Sequence, residues 1–369
     1  MAFALTIVLF VVSLFAIVMI HEGGHYVAAR KFNFRVLEYF LGFGPRLWSF
    51  RRGDIEYGVK AIPAGGYVKI AGMNPFENDV PPGDEDRAYT AKPTWQRVIV
   101  ILCGPLSHFL VAWLIFAGVF VFAMNPNIPG VVGIDPMIDG KASPASVAGL
   151  APGDVIVRIG DIAKPTRDDI GTYQKAHVGQ PIVYVVDRGG ELVTLTMTPV
   201  PTKIGNQDSA RIGIEMSGVR EGPLTALWHG AGTVWDTTRA SVVGIARVFG
   251  PSGIAQQFSL LFRGADRPPD GPVTLIGVGQ QAGHAGSQGA WAWYFMMFAT
   301  VVLFIGLVNL IPLPPLDGGH VAIALIEKAR GRRIDMKKVV PVSATVLVVL
   351  GFMSISTMIL DIWKPIQGP

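Results

Sequence analysis

Four long runs of apolar residues alternate with polar segments along the chain. They cover roughly residues 3–20, 98–124, 291–311 and 339–362. A helix of about 20 apolar residues crosses the hydrocarbon core of a bilayer, so each run predicts a membrane-spanning helix. Half of all residues are hydrophobic and 16% are charged, a balance typical of integral membrane proteins. The pattern predicts a polytopic α-helical membrane protein with about four transmembrane helices.

The segment between the first two apolar runs has the alternation of β-strands. Glycine interrupts its stretches 54–60 and 65–71, which predict a small cytoplasmic β-hairpin or sheet. An exposed strand beside a membrane enzyme can pair with an extended peptide. Two interpretations are open for this strand, an ordinary hairpin or substrate binding through Gly66, Tyr67, Val68, Lys69 and Ile70.

A second β-rich region follows the second apolar run. Strand-like residues 182–186 and 191–198 flank a turn at 187–190, as in a hairpin. The stretch AGLAPGDVIVRIGD resembles the signature of bacterial PDZ domains. We expect one inserted PDZ-like α+β domain, which would bind a peptide or a C-terminus, or exclude large proteins by size.

Residues 222–249 carry apolar side chains at helical spacing. These side chains are Leu224, Leu227, Trp228, Ala231, Val234 and Trp235. They predict an amphipathic helix that packs within the protein, with the bilayer surface as the alternative location. The Gly- and Pro-rich residues 250–289 are expected to lead back to the third span.

Basic residues are concentrated in two of the segments that connect the spans. Eleven Lys and Arg residues lie within 30–97, and six lie within 327–338. Because cytoplasmic loops are enriched in Lys and Arg, we expect both segments in the cytoplasm and residues 125–290 on the opposite side. The net charge of +4 comes without a basic tract interleaved with aromatic residues, so nucleic acid is not an expected partner.

These patterns together predict an order of domains. We expect a first span that carries HExxH at 1–30, a cytoplasmic membrane-associated β region at 31–97, a second span at 98–124, a PDZ domain at 125–202, an extracytoplasmic amphipathic and linker region at 203–290, a third span at 291–320, a cytoplasmic loop at 321–338 and a fourth span at 339–362. No basic residue precedes the first run, which favours a retained span over a cleaved signal peptide.

The pentapeptide HEGGH closes the first apolar run. On a helix, His21 and His25 project from one face, where their imidazole nitrogens can bind one metal ion. Glu22 lies between them and can move a proton from water to a leaving amide nitrogen, as in HExxH metalloproteases. The alternative is a pair of interfacial histidines, but burying these groups beside an apolar helix is costly without a function.

A catalytic zinc ion requires a third protein ligand and an open position for water. The third apolar run ends in NLIPLPPLDGGH, whose prolines break the helix at membrane depth. We expect Asp317 to meet the two histidines, because both motifs lie at cytoplasmic ends of their spans. His320 as a fourth ligand would close the open position, so we expect it to be interfacial or hydrogen-bonded to a ligand.

Four motifs occur in the order found in the site-2 protease family of intramembrane zinc metalloproteases. They are HEGGH, IPAGGYVKIAG, CGPLSHFLVA and NLIPLPPLDGGH. The chain resembles the bacterial RseP type (regulator of sigma-E protease), with one PDZ-like module where well-known relatives have two. The resemblance implies one Zn²⁺ bound by His21, His25 and Asp317, Glu22 as the catalytic acid/base, and Asn309 as a residue that holds the extended substrate.

The motif of the second span departs from the family pattern. Where the family usually shows G-P-x-x-N, residues 104–108 read G-P-L-S-H. We expect His108 to form an interhelical hydrogen bond. Hydrogen bonding to a metal ligand, or direct contact with the metal, is the alternative.

The sequence thus predicts a zinc-dependent intramembrane endopeptidase that cleaves single-span membrane proteins. The resemblance implies a multi-pass protein of the bacterial inner membrane, whose substrates are anti-sigma-factor-like proteins already trimmed by another protease, and remnant signal peptides. A metal-transporting or metal-sensing membrane protein with a PDZ scaffold is the alternative, since intramembrane His and Asp also serve ion pathways. Glu22 discriminates the two, because ion coordination requires no acid/base beside the metal.

Overall fold

The computed structural model describes residues 2–74, 76–204, 207–262 and 274–363. The helices and strands follow in this order: α1 (Ala2–Lys31), β1 (Val36–Arg52), β2 (Ile55–Ile70), α2 (Thr94–Phe122), β3 (Asn125–Ile134), β4 (Met137–Ile138), β5 (Lys141–Ala142), α3 (Pro144–Val147), β6 (Val155–Ile159), β7 (Ile162–Ala163), α4 (Arg167–Ala176), β8 (Ile182–Arg188), β9 (Glu191–Met197), β10 (Val200–Ile204), β11 (Gln207–Arg211), β12 (Ile214–Val219), α5 (Pro223–Phe249), α6 (Pro251–Phe262), α7 (Leu275–Ser287), α8 (Trp291–Asn309), α9 (Asp317–Arg330) and α10 (Val340–Trp363).

Four helical segments are long and apolar enough to cross a membrane. Within the described residues they are Ala2–Lys31, Thr94–Phe122, Trp291–Asn309 and Met336–Trp363. They coincide with the four apolar runs, so the prediction of a multi-pass membrane protein is confirmed.

The chain divides into two compact units. The membrane unit comprises Met1–Phe116 and His229–Pro369, and the inserted unit comprises Ala117–Trp228. The four motifs singled out in the sequence all lie in the membrane unit, so the site can be described within one unit.

Strands β1 and β2 form a sheet that packs against the C-terminal part of α1. Within β1, residues 38–41 pair with 66–69 on one side and with 56–59 on the other, and residues 46–52 pair with 55–60. The stretch 66–70 therefore lies at an edge of this sheet among the described residues. The sheet is much longer than the short hairpin expected from the sequence.

Tyrosines join the sheet to α1. The Tyr39 hydroxyl donates to the Met19 carbonyl over 2.6 Å, and the hydroxyls of Tyr26 and Tyr57 are 2.8 Å apart. Around them, residues of α1, β1, β2 and α2 form a buried apolar cluster with Phe34, which lies between α1 and β1; the cluster includes Ala29 and Ile101. These contacts fix the position of the sheet beside the HEGGH turn.

The inserted unit is a six-stranded sheet covered by short helices. The strand order is β12-β3-β6-β8-β9, and β7 pairs with β6. Strand alternation sends one set of side chains into a core, whose buried members are Val131, Ala145, Leu150, Ile156, Ile159, Ile170, Ile182, Tyr184, Val186, Met197 and Ile212. Asp154 is buried and accepts two hydrogen bonds of 2.7 Å from the Arg188 guanidinium, which lowers the pKa of its carboxyl group.

The inserted unit extends beyond the boundaries expected from the sequence. Strand β12 pairs with β3, and Ile212 belongs to the core, although both follow the expected end of the module at residue 202. From the sequence, residues 203–219 are expected to belong to the amphipathic and linker region 203–290. The long-range pairing of β12 with β3 determines their place in the sheet, and local periodicity does not report such pairing.

Helix α5 occupies the predicted amphipathic segment, but its largest apolar residues do not pack. Leu224 is 84% exposed, Trp228 is 78% exposed and Trp235 is 65% exposed. The expectation that this face packs within the protein is therefore wrong for these three side chains. Ala226 is fully buried. In the first turns of α5, the packed face is therefore the one that carries Ala226, opposite to Leu224 and Trp228.

The Gly- and Pro-rich stretch 250–289 contains two helices within its described residues, α6 and α7, where the sequence suggested a connection. Helix α7 packs against α1 through its small residues. A Cβ atom at Gly286 would overlap the Thr6 side chain, and one at Gly283 would lie 2.5 Å from the Phe3 ring. Small residues let membrane helices approach closely, so the glycines mark a helix contact here.

Candidate metal centre

His21 and His25 lie one turn apart on α1 and point toward the same space. Their Nε2 atoms are 3.1 Å apart, as the (i, i+4) spacing of a helix allows. The Nδ1 atom of His25 lies 2.9 Å from the Val100 carbonyl oxygen of α2. A carbonyl only accepts, so Nδ1 carries the hydrogen, and Nε2 of the neutral ring presents a lone pair.

Asp317 completes the group from a second part of the membrane unit. It is the first residue of α9, and its Oδ2 lies 3.0 Å from His21 Nε2 and 3.5 Å from His25 Nε2. Gly318 and Gly319 allow this placement, because a Cβ atom at either would overlap the backbone at Leu310 or Pro314. The positive end of the α9 dipole favours an anionic carboxylate at this position.

The three side chains fit a metal ion. Among the described residues, His21, His25 and Asp317 form a group whose ligand atoms all lie within 4.8 Å of one another. The Asp317 Oδ2 atom is buried without a hydrogen-bond partner. Such a buried acceptor is costly, and a cation shared with the two imidazoles would satisfy it. Two imidazole nitrogens and one carboxylate oxygen are a ligand set that Zn²⁺ uses in catalytic sites, which leave a fourth position open.

Glu22 lies between the metal-binding candidates and the edge of the sheet. Its carboxylate lies near the Val68 backbone amide. Gly66 contacts the same helix, since a Cβ atom there would lie 3.3 Å from Glu22 Cγ and 3.2 Å from Val18 Cγ1. The predicted acid/base and the predicted substrate strand are therefore adjacent in the structure.

Comparison with known proteins identifies the family. The sequence profile of peptidase family M50 matches residues 9–354. The chain belongs to peptidase family M50. The zinc metalloprotease Rip1 of Mycobacterium tuberculosis is 32% identical over 407 residues, covering 100% of this chain and 99% of Rip1. The metalloprotease MmpA of Caulobacter vibrioides is 32% identical over 375 residues, covering 94% and 92%.

This membership establishes the class of enzyme. The M50 chain is a metalloendopeptidase of the site-2 protease type, and Zn²⁺ is its cofactor. The three-ligand group and Glu22 are the part of the described structure that suits this chemistry.

The remaining predicted site residues of this M50 peptidase lie in different surroundings. Asn309 is the last residue of α8. His320 lies outside the three-ligand group and lines a cavity of about 110 Å³ together with Tyr89, Arg97 and Glu327. His108 is 2% exposed, and its Nε2 atom is 2.9 Å from His21 Nδ1. Of these three residues, His108 has a direct hydrogen bond to a predicted ligand.

Within the predicted substrate strand, two side chains are already engaged inside the protein. The Tyr67 hydroxyl donates to Glu38, and the Lys69 ammonium pairs with Glu77. Residues 66–70 can therefore bind a peptide mainly through their backbone amides and carbonyls. Sequence reasoning missed the Val100 carbonyl that orients His25, because no side-chain signal marks a backbone acceptor.

Glycines allow the helices of the M50 peptidase to meet at the site. A Cβ atom at Gly24 would overlap the Cys103 carbonyl of α2, and one at Gly104 would overlap the His25 ring. The two glycine positions of HEGGH differ, since a Cβ atom at Gly23 would meet only the Tyr39 hydroxyl, at 3.6 Å. Gly24 is the glycine at which α1 and α2 touch.

We expect Gly24→Ala to reduce cleavage about 100-fold, because separating α1 from α2 displaces His21 and His25 by a fraction of an ångström to an ångström. Overpacking should also destabilise the fold by about 1–3 kcal/mol. Gly23→Ala is the matched control and should cleave like the wild type. Cleavage of a tagged substrate and thermal unfolding in detergent measure both effects. Equal activity of the two variants would contradict the close contact at Gly24.

Proposed function

We propose that this M50 peptidase cleaves single-span membrane proteins at the membrane, with zinc held by His21, His25 and Asp317. One observation carries the proposal: the three ligand atoms lie within 4.8 Å of one another, and two of them belong to a helix apolar enough to span a bilayer. Glu22, in the same turn of α1, is the acid/base. A soluble substrate would not require this chemistry to be attached to a membrane helix.

Zinc, when bound, supplies Lewis-acid chemistry that polarises a scissile carbonyl and lowers the pKa of water. Glu22 accepts a proton from the attacking water and delivers it to the leaving amide nitrogen. His21, His25 and Asp317 keep their positions through the contacts of α1 with α2 and the tight turn before α9.

The substrate binds in an extended conformation along residues 66–70. The Ala71 amide donates to the Arg35 carbonyl over 2.9 Å, so alternation directs the amides of Tyr67 and Lys69 toward β1. The amides of Gly66, Val68 and Ile70 then face the open edge. A strand added at this edge gains main-chain hydrogen bonds next to Glu22. Asn309, at the end of α8, is proposed as a further contact for the extended segment.

A helical substrate must unwind before this edge can bind it, because its amides are paired inside the helix. Residues that weaken a helix, such as proline or glycine, should therefore favour cleavage. By their resemblance to the site-2 protease pattern, the motifs suggest anti-sigma-factor-like proteins, trimmed beforehand by another protease, and remnant signal peptides as substrates.

The proposed orientation puts the metal centre near the cytoplasmic face of the bacterial inner membrane. The eleven basic residues within 30–97 and the six within 327–338 support it, because such loops stay in the cytoplasm. The inserted unit is then extracytoplasmic.

The inserted unit is proposed to be a PDZ domain that either binds a C-terminus or excludes untrimmed proteins. Its antiparallel sheet with two short helices and its AGLAPGD stretch support this proposal. Removing residues 125–219 and offering an untrimmed substrate separates the two roles. Cleavage of that substrate would support exclusion, whereas loss of cleavage of trimmed substrates would support binding.

Helix α5 is proposed to lie on the bilayer surface. Its exposed Trp228 and Trp235 belong to the residue type that prefers the membrane interface. Arg239 and Arg247 on the same helix can reach lipid phosphates while their aliphatic stems lie along the apolar region.

The decisive experiment incubates the purified protein with a panel of trimmed single-span substrates, with and without a zinc chelator. We expect cleavage that the chelator abolishes and that added Zn²⁺ restores. Cleavage of unstructured soluble peptides alone, or cleavage that the chelator leaves intact, would contradict the proposed function.

A further inference from the structure

His108 lies at the junction of three membrane helices. It belongs to α2, its Nε2 atom is 2.9 Å from His21 Nδ1 on α1, and its Nδ1 atom is 3.0 Å from the Val302 carbonyl oxygen on α8. Gly306 makes room for it, because a Cβ atom there would lie 2.6 Å from His108 Cβ. The imidazole is thus held on both nitrogens and is 2% exposed.

The chemistry of these partners determines where the hydrogens lie. The Val302 carbonyl only accepts, so His108 Nδ1 carries a hydrogen, and Nε2 of the neutral ring is an acceptor. His21 Nδ1 must then donate to it. The remaining nitrogen of His21, Nε2, is left with its lone pair, and this nitrogen lies 3.0 Å from Asp317 Oδ2.

The two histidines of HEGGH are therefore oriented by different means. His25 donates from Nδ1 to a backbone carbonyl, that of Val100, whereas His21 donates from Nδ1 to a side chain. Both acceptors belong to α2. Only the second one can be removed by substitution, which makes its contribution measurable.

We infer that His108 is a positioning residue for the metal centre: it fixes the tautomer and the ring orientation of His21 so that Nε2 faces the metal. The inference rests on the proposed role of His21, His25 and Asp317 as ligands. Partners that hydrogen-bond a ligating histidine typically change metal affinity by about 10- to 100-fold when they are removed. At this position the usual family pattern has an asparagine, whose shorter side chain does not extend as far toward His21.

Three substitutions of His108 distinguish the hydrogen-bond acceptor at Nε2 from the donor at Nδ1 and from the volume of the ring. His108→Phe keeps the ring volume without hydrogen bonds. His108→Asn keeps an amide near the position of Nδ1, where it can donate to Val302, but does not reach His21. His108→Gln carries its terminal amide oxygen near the position of Nε2, where it can accept from His21.

The test measures zinc affinity of the full-length protein in detergent, after removal of metal, by competition with a chromogenic chelator. We expect His108→Phe and His108→Asn to bind Zn²⁺ about 10- to 100-fold more weakly than the wild type, and His108→Gln to retain most of the affinity. The absorption spectrum of the Co²⁺-loaded protein should change in the same two variants. Thermal unfolding of the metal-free proteins verifies that each variant is folded.

Two outcomes would overturn the inference. If folded His108→Phe binds Zn²⁺ with wild-type affinity, His21 needs no hydrogen-bond partner. If all three variants bind Zn²⁺ equally weakly, the hydrogen bond that residue 108 accepts from His21 does not determine the affinity. His21→Ala is the control for the underlying assignment. If His21→Ala still binds Zn²⁺ like the wild type, the proposed ligand set fails, whatever the His108 variants do.

Discussion

Glu22→Gln is expected to reduce cleavage of a tagged single-span substrate by about 10²- to 10⁴-fold, the usual contribution of a general acid/base. Glutamine keeps the shape of the side chain but cannot accept the proton from water. Zinc content should not change, because the ligand group comprises His21, His25 and Asp317. Product formation on gels and metal content by mass spectrometry give the two readouts on one preparation.

A second carboxylate provides the control for Glu22→Gln. Glu38 lies on β1, where it accepts from the Tyr67 hydroxyl, and it is not in the ligand group. Glu38→Gln should cleave at a rate close to that of the wild type. If Glu22→Gln cleaved normally with its zinc in place, the protease assignment of this site would fail, and a metal-transporting or metal-sensing role would explain the ligands better.

Asp317→Ala is expected to abolish cleavage through loss of zinc. The substitution removes the Oδ2 atom that lies 3.0 Å and 3.5 Å from the two histidine nitrogens. Removing a residue that only hydrogen-bonds a ligand typically lowers metal affinity about 10- to 100-fold. Because Asp317→Ala removes a ligand atom, zinc affinity should fall by more than that. Competition with a chromogenic chelator measures the affinity.

The matched control for Asp317→Ala is Asp335→Ala. Asp335 also stands at the start of a helical turn, and its side chain accepts a hydrogen bond from the Lys337 amide. Asp335→Ala therefore removes a helix cap at a position outside the ligand group. It should leave zinc affinity unchanged. Normal zinc content in Asp317→Ala would mean that the third ligand lies elsewhere in the chain.

Hydropathy was sufficient to predict the four membrane helices, because length and apolar character decide whether a helix can span a bilayer. The spacing of His21 and His25 was equally direct, since it depends on one helix alone. The proximity of Asp317 to them depends on the packing of separate segments. The location of both motifs at the cytoplasmic ends of their spans suggests it, and the similarity of the motifs to a known family implies the same residue.

Other contacts in the site and the fold could not be predicted from local sequence patterns. The hydrogen bond from His25 to the Val100 carbonyl joins residues of different elements through a backbone group, which no residue type marks. The Gly- and Pro-rich stretch 250–289 predicts a connection instead of helix α7, because glycine is a weak helix former. At the contact with α1 the same glycines allow a close approach, as small residues do between packed helices.

The inserted unit shows that long-range strand pairing also limits what the sequence can predict. Its core strands could be recognised from alternation, but β12 could not, because its assignment depends on pairing with β3, 80 to 94 residues earlier. A strand added at the edge of a sheet takes its stability from its neighbour more than from its own composition.

The length of helix α1 bears on how an intramembrane peptidase obtains water, its second reactant. Its apolar part runs from Ala2 to Ile20, and at about 1.5 Å per residue that part is about 29 Å long, close to the about 30 Å of the hydrocarbon core. His21 is the next residue. In the proposed orientation, His21 lies at the cytoplasmic end of this apolar part, close to the hydrated headgroups. Water would then reach the proposed metal centre from the aqueous phase without a long channel through the protein.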